Sequence, residues 1–439
     1  MDIVADTVIL VGLLVWGVPI PFCFMAAVLF MALFHGYDFN FLLPVGFYKL
    51  NSIVLLAVPF FILLGELLST TGIGRRLVEF ANAVLGRIRG GLGAVSVVSC
   101  ALVGAIAGTC SAAVAAVGSI MIPRLQENGY PKGYSSALVT CASILGQLIP
   151  PSVPMIFFAW ATFQPVGPCW LATIVPGILL VIVYSFINYM FCRKMPSVTV
   201  APPTSRRTWV VGVGHASYRA SLAILIPLAV LGSIWGGIAT PTEAAAIGLV
   251  VSSLIGFLIY RSIKLREFRN SLITAGTTTG VIILMVYFVM ILSRIYTMEN
   301  VPQRLIILLT GISENKYVIL LMVNLFLIII GMLMDDFSGT LLSAPLLFPL
   351  MTAIGVHPFH FAAIMGTNLG LGNMTPPCAP ILYLGARIGG VTIDKMMKPT
   401  TIYLLLGSLP VVLITTYFPP LALTLPHLLS PNLVPTIWG

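Results

Sequence analysis

Two stretches of this chain carry polar and helix-breaking residues in the same order, Gly146 to Pro154 (GQLIPPSVP) and Gly372 to Pro380 (GNMTPPCAP). The interval from Gly146 to Gly372, called here the repeat interval, also separates Pro123 from Pro349. Both stretches lie in long apolar segments, where glycine and proline break helices and release backbone groups that need other partners. Released carbonyl oxygens suit a hard cation such as Na⁺, and the helix N-termini after each break favour an anion. The two breaks are therefore predicted to hold the ions and the substrate of a transporter.

Side-chain oxygens gather at the same places. In the first half they belong to Thr109, Ser111, Ser143, Gln147 and Ser152. In the second half they belong to Asp336, Ser338, Thr340, Thr367, Asn368, Asn373 and Thr375. Any one of these hydroxyls could instead bond to its own helix or to a neighbouring helix.

Asp335 and Asp336 are adjacent carboxylates in an apolar setting. A carboxylate at membrane depth is costly and marks a functional site by default. Asp336, which precedes Phe337 and Ser338, is the better candidate for ion coordination. The alternative is that both carboxylates are solvated near the outer surface.

Composition sets the class of protein. The chain has 439 residues, of which 59% are hydrophobic and 8% are charged, and its mean hydropathy is +1.06. Soluble domains carry about 25% charged residues. The fold class is therefore an all-α polytopic membrane protein. The first apolar segment lacks a basic leader and is expected to be a retained span. The seven scattered cysteines are expected to be buried apolar side chains.

The net charge of +9 does not indicate nucleic-acid binding, because its distribution fits a membrane protein. Eighteen of the 22 Lys and Arg residues fall in five clusters, at 75–89, 124–132, 193–219, 261–269 and 387–398. Cytoplasmic loops carry such an excess of positive charge.

The apolar segments predict about ten transmembrane helices plus two re-entrant helical hairpins, arranged as an inverted repeat. The first repeat spans 1–194, with scaffold spans at 1–70, an external loop at 35–50, an interfacial arm at 71–91, a hairpin at 92–125 and a broken helix at 134–162. A cytoplasmic linker is predicted at 195–219. The second repeat spans 220–439, with scaffold spans at 221–292, a hairpin at 317–350, a broken helix at 360–385 and a last span at 400–420.

The distribution of positive charge predicts the side of the membrane from which each hairpin enters, and hence that the two repeats have opposite orientations. Arg89 and Arg124 flank the first small-residue-rich segment, so a hairpin that turns at Gly108–Ser111 keeps both inside, although one ordinary span remains an alternative. The second hairpin turns near 334–340 and has ends poor in positive charge, so it enters from outside. Both chain termini are then expected outside.

The sequence lacks the motifs of ATP hydrolysis, metal binding and nucleophilic catalysis. There is no Walker A sequence, no His pair at metal-ligand spacing and no plausible Ser/His/Asp set, so an enzyme is not expected. An intramembrane enzyme that uses Asp335 and Asp336 is a remote alternative. Glu243 is expected to cap a helix through the Thr242/Glu243 turn rather than touch substrate.

The motifs together resemble the large membrane subunit of a tripartite ATP-independent periplasmic (TRAP) transporter. The resemblance covers essentially the whole chain. It rests on Pro59-Phe60-Phe61 with Gly65-Glu66, Gly104–Pro123, Gly146–Ser152, Ala239–Ala244, Asp335-Asp336, Gly366-Thr367-Asn368 and Pro376-Pro377. It implies an elevator-type mechanism and Na⁺-coupled uptake of an organic acid anion across the bacterial inner membrane. It also implies a periplasmic substrate-binding protein and a small four-helix membrane subunit, here expected as a separate chain.

The resemblance implies two Na⁺ sites at the hairpin tips and just before each Pro-Pro pair. The first would use Gly108, Thr109, Ser111, Ser143, Gly146, Gln147 and Ile149. The second would use Asp336, Ser338, Thr367, Asn368, Gly372, Met374 and Thr375. Candidate substrate contacts are Ser111, Ser152, Asp336, Asn373 and Thr375. A self-sufficient anion–sodium symporter that needs no binding protein is the competing function.

Overall fold

In the computed structural model of the chain, every regular element among the residues it describes (2–87, 90–195, 198, 206–376 and 378–438) is helical, about 83% in all. A helix satisfies its backbone groups within one segment, which a bilayer requires. Several predicted features lie outside the described residues, namely Arg89, Pro377, Pro196, Pro202 and Pro203.

The helices are numbered here in chain order. Those of the first half are α1 Asp2–Val15, α2 Ile20–His35, α3 Phe39–Leu50, α4 Ala57–Thr70, α5 Ile73–Leu85, α6 Gly91–Ala107, α7 Cys110–Glu127, α8 Lys132–Ala142, α9 Leu145–Leu148, α10 Val153–Thr162 and α11 Val166–Arg193. Those of the second half are α12 Arg206–Trp235, α13 Pro241–Leu254, α14 Leu265–Met298, α15 Val301–Ile312, α16 Lys316–Leu333, α17 Asp336–Ala353, α18 Pro358–Gly372, α19 Pro380–Gly389, α20 Ile393–Tyr403, α21 Leu409–Tyr417 and α22 Pro420–Leu429.

Within the described ranges, six helices are long and apolar enough to cross a membrane, and two bent pairs raise the number to eight. The bent pairs are Phe39–Leu50 with Ile53–Leu68, at 60°, and Lys132–Leu148 with Val153–Thr162, at 41°. Helices α1 and α2 are shorter, with 14 and 16 residues, and meet near Gly17 as expected of two short spans. The total of ten spans stays a prediction.

The two hairpins recur at one spacing along the chain. Helix α17 begins and ends one repeat interval after α7, with Asp336 matching Cys110 and Ala353 matching Glu127. The helix before each turn, α6 or α16, ends at Ala107 or Leu333, which are separated by the same interval. The offset of the two Pro-Pro stretches is thus also the offset of the hairpins that precede them.

Two predicted connections contain helix. The stretch 35–50, expected as an external loop, includes α3, whose start is capped because the Asp38 carboxylate accepts from the Asn40 N–H at 2.8 Å. The expected linker at 195–219 is helical from Arg206 onward, and the Trp209 indole N–H donates to the Ala83 carbonyl at 3.0 Å. This contact holds the start of α12 against α5, which lies in the predicted interfacial arm.

Glu243 takes part in the cap of α13, as expected, but it bonds to Thr240 rather than to Thr242. Its carboxylate accepts from the Thr240 backbone N–H at 2.7 Å and from the Thr240 hydroxyl at 2.8 Å. The Thr242 hydroxyl instead donates to the Ile53 carbonyl at 2.9 Å, which ties α13 to the turn before α4. The capping residue is Thr240 because its extended backbone frees its side chain for the first turn.

Contacts between the basic clusters gather them at one end of the molecule. Arg76 donates to the Arg219 carbonyl at 3.4 Å and lies over the ring of Tyr260, next to the cluster at 261–269. The remaining links are cavities shared by residues of different clusters: Arg75 with Arg124, and Lys132 with Lys395 and Lys398. This convergence agrees with a cytoplasmic end rich in positive charge.

The opposite end joins the charge-poor segments. Tyr37 donates to Glu299 Oε1 at 2.6 Å, and this bond to a carboxylate raises the pKa of Tyr37 to about 12. Lys49, at the end of α3, lies 5.1 Å from the centre of the Phe163 ring, just after α10. The residues predicted to face outside therefore lie together.

Candidate functional site

The tip of the first hairpin is a tight turn between α6 and α7. Gly108 adopts a φ of 70°, a left-handed conformation that glycine adopts without strain. Thr109 then caps α7, because its hydroxyl accepts from the Ala112 N–H at 3.2 Å. The exposed Ser111 hydroxyl lies 3.4 Å from that of Thr109. Two hydroxyls thus lie together at the start of a helix.

The tip of the second hairpin repeats this turn with a carboxylate in the capping position. Asp335 caps α17 by accepting from the Ser338 N–H at 3.2 Å, and it also accepts from the Ser338 hydroxyl. Asp335 lies one repeat interval after Thr109 and does the same structural work. Asp335 therefore has local partners that account for it.

Asp336 is different. It is the first residue of α17 and is only 4% exposed, and its Oδ2 atom has no hydrogen-bond partner within the described part of the chain. A buried carboxylate oxygen without a partner is costly unless a proton or a cation meets it. Among the predicted site residues, Asp336 is the carboxylate that keeps a buried oxygen without a hydrogen-bond partner in the described part of the chain.

The first break follows α9 and contacts the first hairpin tip. The Val153 N–H, at the start of α10, donates to the Gly108 carbonyl at 3.0 Å. Ser152 is fully buried and caps α10 by accepting from the Met155 N–H at 3.5 Å, while its carbonyl accepts from the Trp170 indole at 2.9 Å. The break is thus fixed by both the turn before α7 and α11.

The second break contacts the second hairpin tip through Asn373. With its amide oriented to suit its neighbours, Asn373 donates to the Met334 carbonyl at 2.8 Å and accepts from the Asp336 N–H at 3.1 Å. One side chain therefore bonds to both ends of the turn between α16 and α17, which carries Asp336. This role requires an amide, since a carboxylate could not donate to the carbonyl.

Glycines allow each hairpin to lie directly against its broken helix. A Cβ on Gly104 would lie 2.5 Å from the Gly146 Cα, and one on Gly372 would lie 2.6 Å from the Gly331 Cα. These approaches exclude any side chain. The glycine that opens each Pro-Pro stretch is therefore a packing residue, whether or not its carbonyl binds an ion.

The two half-sites meet at the hairpin tips. The Cys110 thiol and backbone N–H, at the start of α7, interact with the Asp336 carboxylate at the start of α17. The same thiol lies 3.4 Å from the Gln147 Oε1, and the Gln147 amide donates to the Gly366 carbonyl of α18 at 2.7 Å. Both breaks and both tips thus form one continuous contact network.

Two helix N-termini point at this meeting place. Helices α7 and α17 each start there, and the partial positive charge of a helix start stabilises negative charge. The Asp336 carboxylate already occupies one such position. The network therefore combines a buried carboxylate with two helix starts whose fields favour negative charge.

Other predicted ligands point their hydroxyl hydrogens at their own helices. The Ser143 hydroxyl donates to the Thr140 carbonyl at 2.7 Å, that of Thr367 to the Ala363 carbonyl at 2.9 Å and that of Thr375 to the Leu371 carbonyl at 2.9 Å. These are the intrahelical bonds that the sequence allowed as an alternative. A hydroxyl that donates still keeps oxygen lone pairs for a cation, so the contacts leave their proposed role open.

Ser338 and Asn368 lie in further polar groups. The Ser338 hydroxyl also contacts the Met285 sulfur of α14, at 2.7 Å. The Asn368 amide donates to the Asn324 Oδ1 at 2.8 Å, which also accepts from the Thr416 hydroxyl at 3.0 Å. Asn368 Oδ1 has no hydrogen-bond partner among the described residues. Asn368 is therefore buried and fixed through α16 and α21 rather than through a hairpin tip.

Sequence reasoning did not single out Cys110, Asn324, Met285 or Thr416. Cys110 could have been found from the repeat interval, because it occupies the position in the first half that Asp336 occupies in the second. Asn324 lies on α16 of the second hairpin, Met285 on α14 and Thr416 on α21, and no motif marks any of the three. The described residues contain no group of three or more His, Cys, Asp or Glu side chains that could hold a metal ion.

Comparison with known families gives a match over nearly the whole chain. A family model described as "Tripartite ATP-independent periplasmic transporter, DctM component" matches residues 7–421. A C4-dicarboxylate TRAP transporter large permease protein of Pseudomonas aeruginosa is 35% identical over 86% of this chain and 87% of its own length.

Relatives named for other substrates have a similar degree of identity. A sialic acid TRAP transporter large permease protein of Vibrio cholerae is 32% identical over 95% of this chain and 96% of its own length. An isethionate TRAP transporter permease protein of Oleidesulfovibrio alaskensis is 32% identical over 92% of this chain and 63% of its own, longer, length.

A solved structure shares the fold. It is the YdaH transporter of Alcanivorax borkumensis, described as having an unusual topology, and it superposes with a TM-score of 0.59 over 84% of this chain and 85% of its own. The sequences are 14% identical, so the likeness concerns the fold alone.

Proposed function

Because this chain belongs to the family of TRAP transporter large permease subunits, we propose that it carries a small organic anion together with Na⁺ across the bacterial inner membrane. The chain is a multi-pass membrane protein of that transporter family. Its relatives are named for the transport of a C4-dicarboxylate, sialic acid or isethionate. Each of these compounds carries a negatively charged group at neutral pH. A small carboxylate or sulfonate anion is the substrate class.

The observation that carries the proposal is the buried Asp336 carboxylate at the meeting of the two hairpin tips. One of its oxygens lacks a partner, and no Lys or Arg is placed beside it by any ion pair in the described chain. A Na⁺ ion bound there would neutralise the charge, with Ser338 and carbonyl oxygens from Gly372 to Thr375 as further ligands. Thr367 and Asn368 complete the proposed set from α18.

A second Na⁺ site is proposed at the symmetric place in the first half. Cys110 replaces the aspartate there, so the site depends on the hydroxyls of Thr109 and Ser111 and on carbonyls from Gly108 and Ser143 to Ile149. Oxygen donors without a fixed charge bind Na⁺ less tightly than a set that contains a carboxylate. We infer that the two sites are unequal.

The anion is proposed to bind between the two sites. Ser111, Ser152 and Asn373 would supply hydrogen-bond donors, and Thr375 would do so by exchanging its bond to the Leu371 carbonyl. Two bound Na⁺ ions would offset the charge of Asp336 and of the substrate. Binding of the anion would then depend on Na⁺, which is the thermodynamic basis of coupling. In the family's elevator-type mechanism, both hairpins and both broken helices would move as one body along α4, α5 and their second-half counterparts.

Partners follow from the family. A small four-helix membrane subunit, as a separate chain, and a periplasmic binding protein that delivers the anion are proposed. Reconstitution into vesicles with and without each partner tests this arrangement. Uptake should require a Na⁺ gradient and all three proteins, and uptake by this chain alone would instead identify a self-sufficient symporter.

A further inference from the structure

A cavity of about 530 Å³ opens at the basic end of the molecule, away from the hairpin tips. It lies between the start of α8, the end of α11 and α20. Six of its lining residues define the "lysine pocket": Lys132, Lys395, Lys398, Phe191, Met195 and Ile402. Three lysine residues thus line one cavity together with three large apolar residues.

Backbone packing creates this grouping. A Cβ on Gly133 would lie 2.2 Å from the Lys395 carbonyl oxygen, so α8 and α20 touch where their first turns begin. The contact brings Lys132 beside lysines that lie more than half the chain away. Lys395 and Lys398 are three residues apart on α20 and therefore point to the same side of that helix.

The three positive charges are not neutralised within the described part of the chain. None of these lysines forms an ion pair within 4 Å of a carboxylate, and no Asp or Glu lines the cavity. Asp394 precedes Lys395 but lies on the exposed start of α20 and outside the cavity lining. The lysine pocket therefore presents unshielded positive charge over an apolar wall.

The adjoining surface of α11 is suited to acyl chains. Ile182, Phe186 and Met190 recur every four residues along this 28-residue apolar helix and are 60%, 61% and 43% exposed. The pocket is reached at Phe191, near the end of this helix, and at Met195, just beyond it. An exposed apolar stripe on the helix that leads to three lysines at the basic end of the molecule matches the two parts of a phospholipid.

We propose that the lysine pocket binds an anionic phospholipid. The headgroup phosphate is held by Lys132, Lys395 and Lys398, and an acyl chain lies along Phe191, Met195 and Ile402. Basic pockets between membrane helices on the cytoplasmic side bind anionic headgroups in this way. A free phosphate would use the lysines but leave the apolar wall without a partner.

The test uses the full chain purified in detergent and titrated with phosphatidylglycerol or phosphatidylcholine, with bound lipid counted by native mass spectrometry. The double variant K395Q/K398Q removes two charges from the pocket. Its matched control, R266Q/R269Q, removes two exposed charges with the same spacing from the start of α14, which also lies at the basic end.

Wild-type and control proteins should bind phosphatidylglycerol about tenfold or more tightly than phosphatidylcholine, and K395Q/K398Q should lose most of that preference. The charge-retaining variant K395R/K398R should keep it. Equal binding of the two lipids, or equal loss in both double variants, would overturn the proposal. Displacement of phosphatidylglycerol by excess inorganic phosphate without acyl-chain dependence would assign the site to a soluble anion instead. All these readouts are independent of Na⁺ and of transport.

Discussion

Replacement of Asp336 by asparagine isolates the charge at the hairpin tips. Asparagine has nearly the same volume and keeps an oxygen acceptor toward the start of α7, so the turn and its bond to Asn373 should survive. The change removes the buried negative charge whose Oδ2 atom has no partner in the described chain. It should therefore weaken Na⁺ binding far more than it alters the fold.

The size of the effect follows from the burial. Two opposite unit charges about 4 Å apart attract by about 4 kcal/mol at the effective dielectric constant of about 20 that describes protein sites. Dehydration of the carboxylate and of the ion offsets part of this gain. A net loss of about 2 kcal/mol corresponds to an approximately 30-fold weaker Na⁺ affinity.

The assay is a Na⁺ titration of the thermal unfolding midpoint in detergent, with choline chloride holding the ionic strength constant. A ligand that binds the folded state raises this midpoint as its concentration passes the dissociation constant. Asp394→Asn removes an equal charge from an exposed helix start and serves as the control. The reasoning is refuted if Asp336→Asn folds, as judged by its midpoint in choline, yet responds to Na⁺ at the wild-type concentration.

Three further predictions, made with four substitutions and one control, test the remaining contacts. Gly104→Ala places a Cβ 2.5 Å from a backbone atom and should destabilise the protein by about 1–3 kcal/mol, whereas Gly276→Ala, with nothing within 4 Å, should be neutral or slightly stabilising in the same denaturation assay. Ser111→Ala and Asn368→Ala should each raise the Na⁺ concentration for half-maximal stabilisation, and an unchanged value in both would show that the ion sites lie elsewhere. Gln147→Ala leaves a buried carbonyl of α18 without its donor and should cost about 1–3 kcal/mol of unfolding free energy; a change below about 0.5 kcal/mol would show that water replaces the amide.

The sequence predicted the framework because the relevant signals are local or periodic. The turn at Gly108 and the breaks after Leu148 and Gly372 lie where glycine and proline interrupt apolar runs, and the turn at Met334 lies where two aspartates interrupt one. The basic clusters predicted which segments lie on one side of the membrane, and the contact between Arg76 and Arg219 joins two of these clusters. These features depend on residue type rather than on distant partners.

Helices in charge-poor or linker-like segments were not predicted. Helix α3 lies in a stretch read as a loop because it lacks positive charge, yet Asp38 caps it and its aromatic side chains pack on α14. Helix α15 was missed although it follows α14 as α5 follows α4. Charge indicates the side of the membrane, but it does not indicate whether the chain is helical there.

The pairing of the half-sites also could not be predicted from local patterns. The repeat interval relates Cys110 to Asp336, but only the folded chain brings them into contact. Likewise, the bond from Gln147 to Gly366 joins residues of opposite halves, and the amide of Asn324 reaches Asn368 from another helix. Such contacts depend on how the two repeats pack.

Tracer sodium flux tests the central claim, Na⁺–anion symport through the paired hairpin tips, most directly. Vesicles containing this chain and its membrane subunit would be given the periplasmic binding protein loaded with its own ligand, and radioactive Na⁺ would be followed. The account predicts that ligand supplied by loaded binding protein outside the vesicles drives Na⁺ inward through the wild-type chain. The same supply should drive no Na⁺ inward through Asp336→Asn. Ligand uptake that moves no Na⁺, or Na⁺ movement that Asp336→Asn leaves intact, would contradict it.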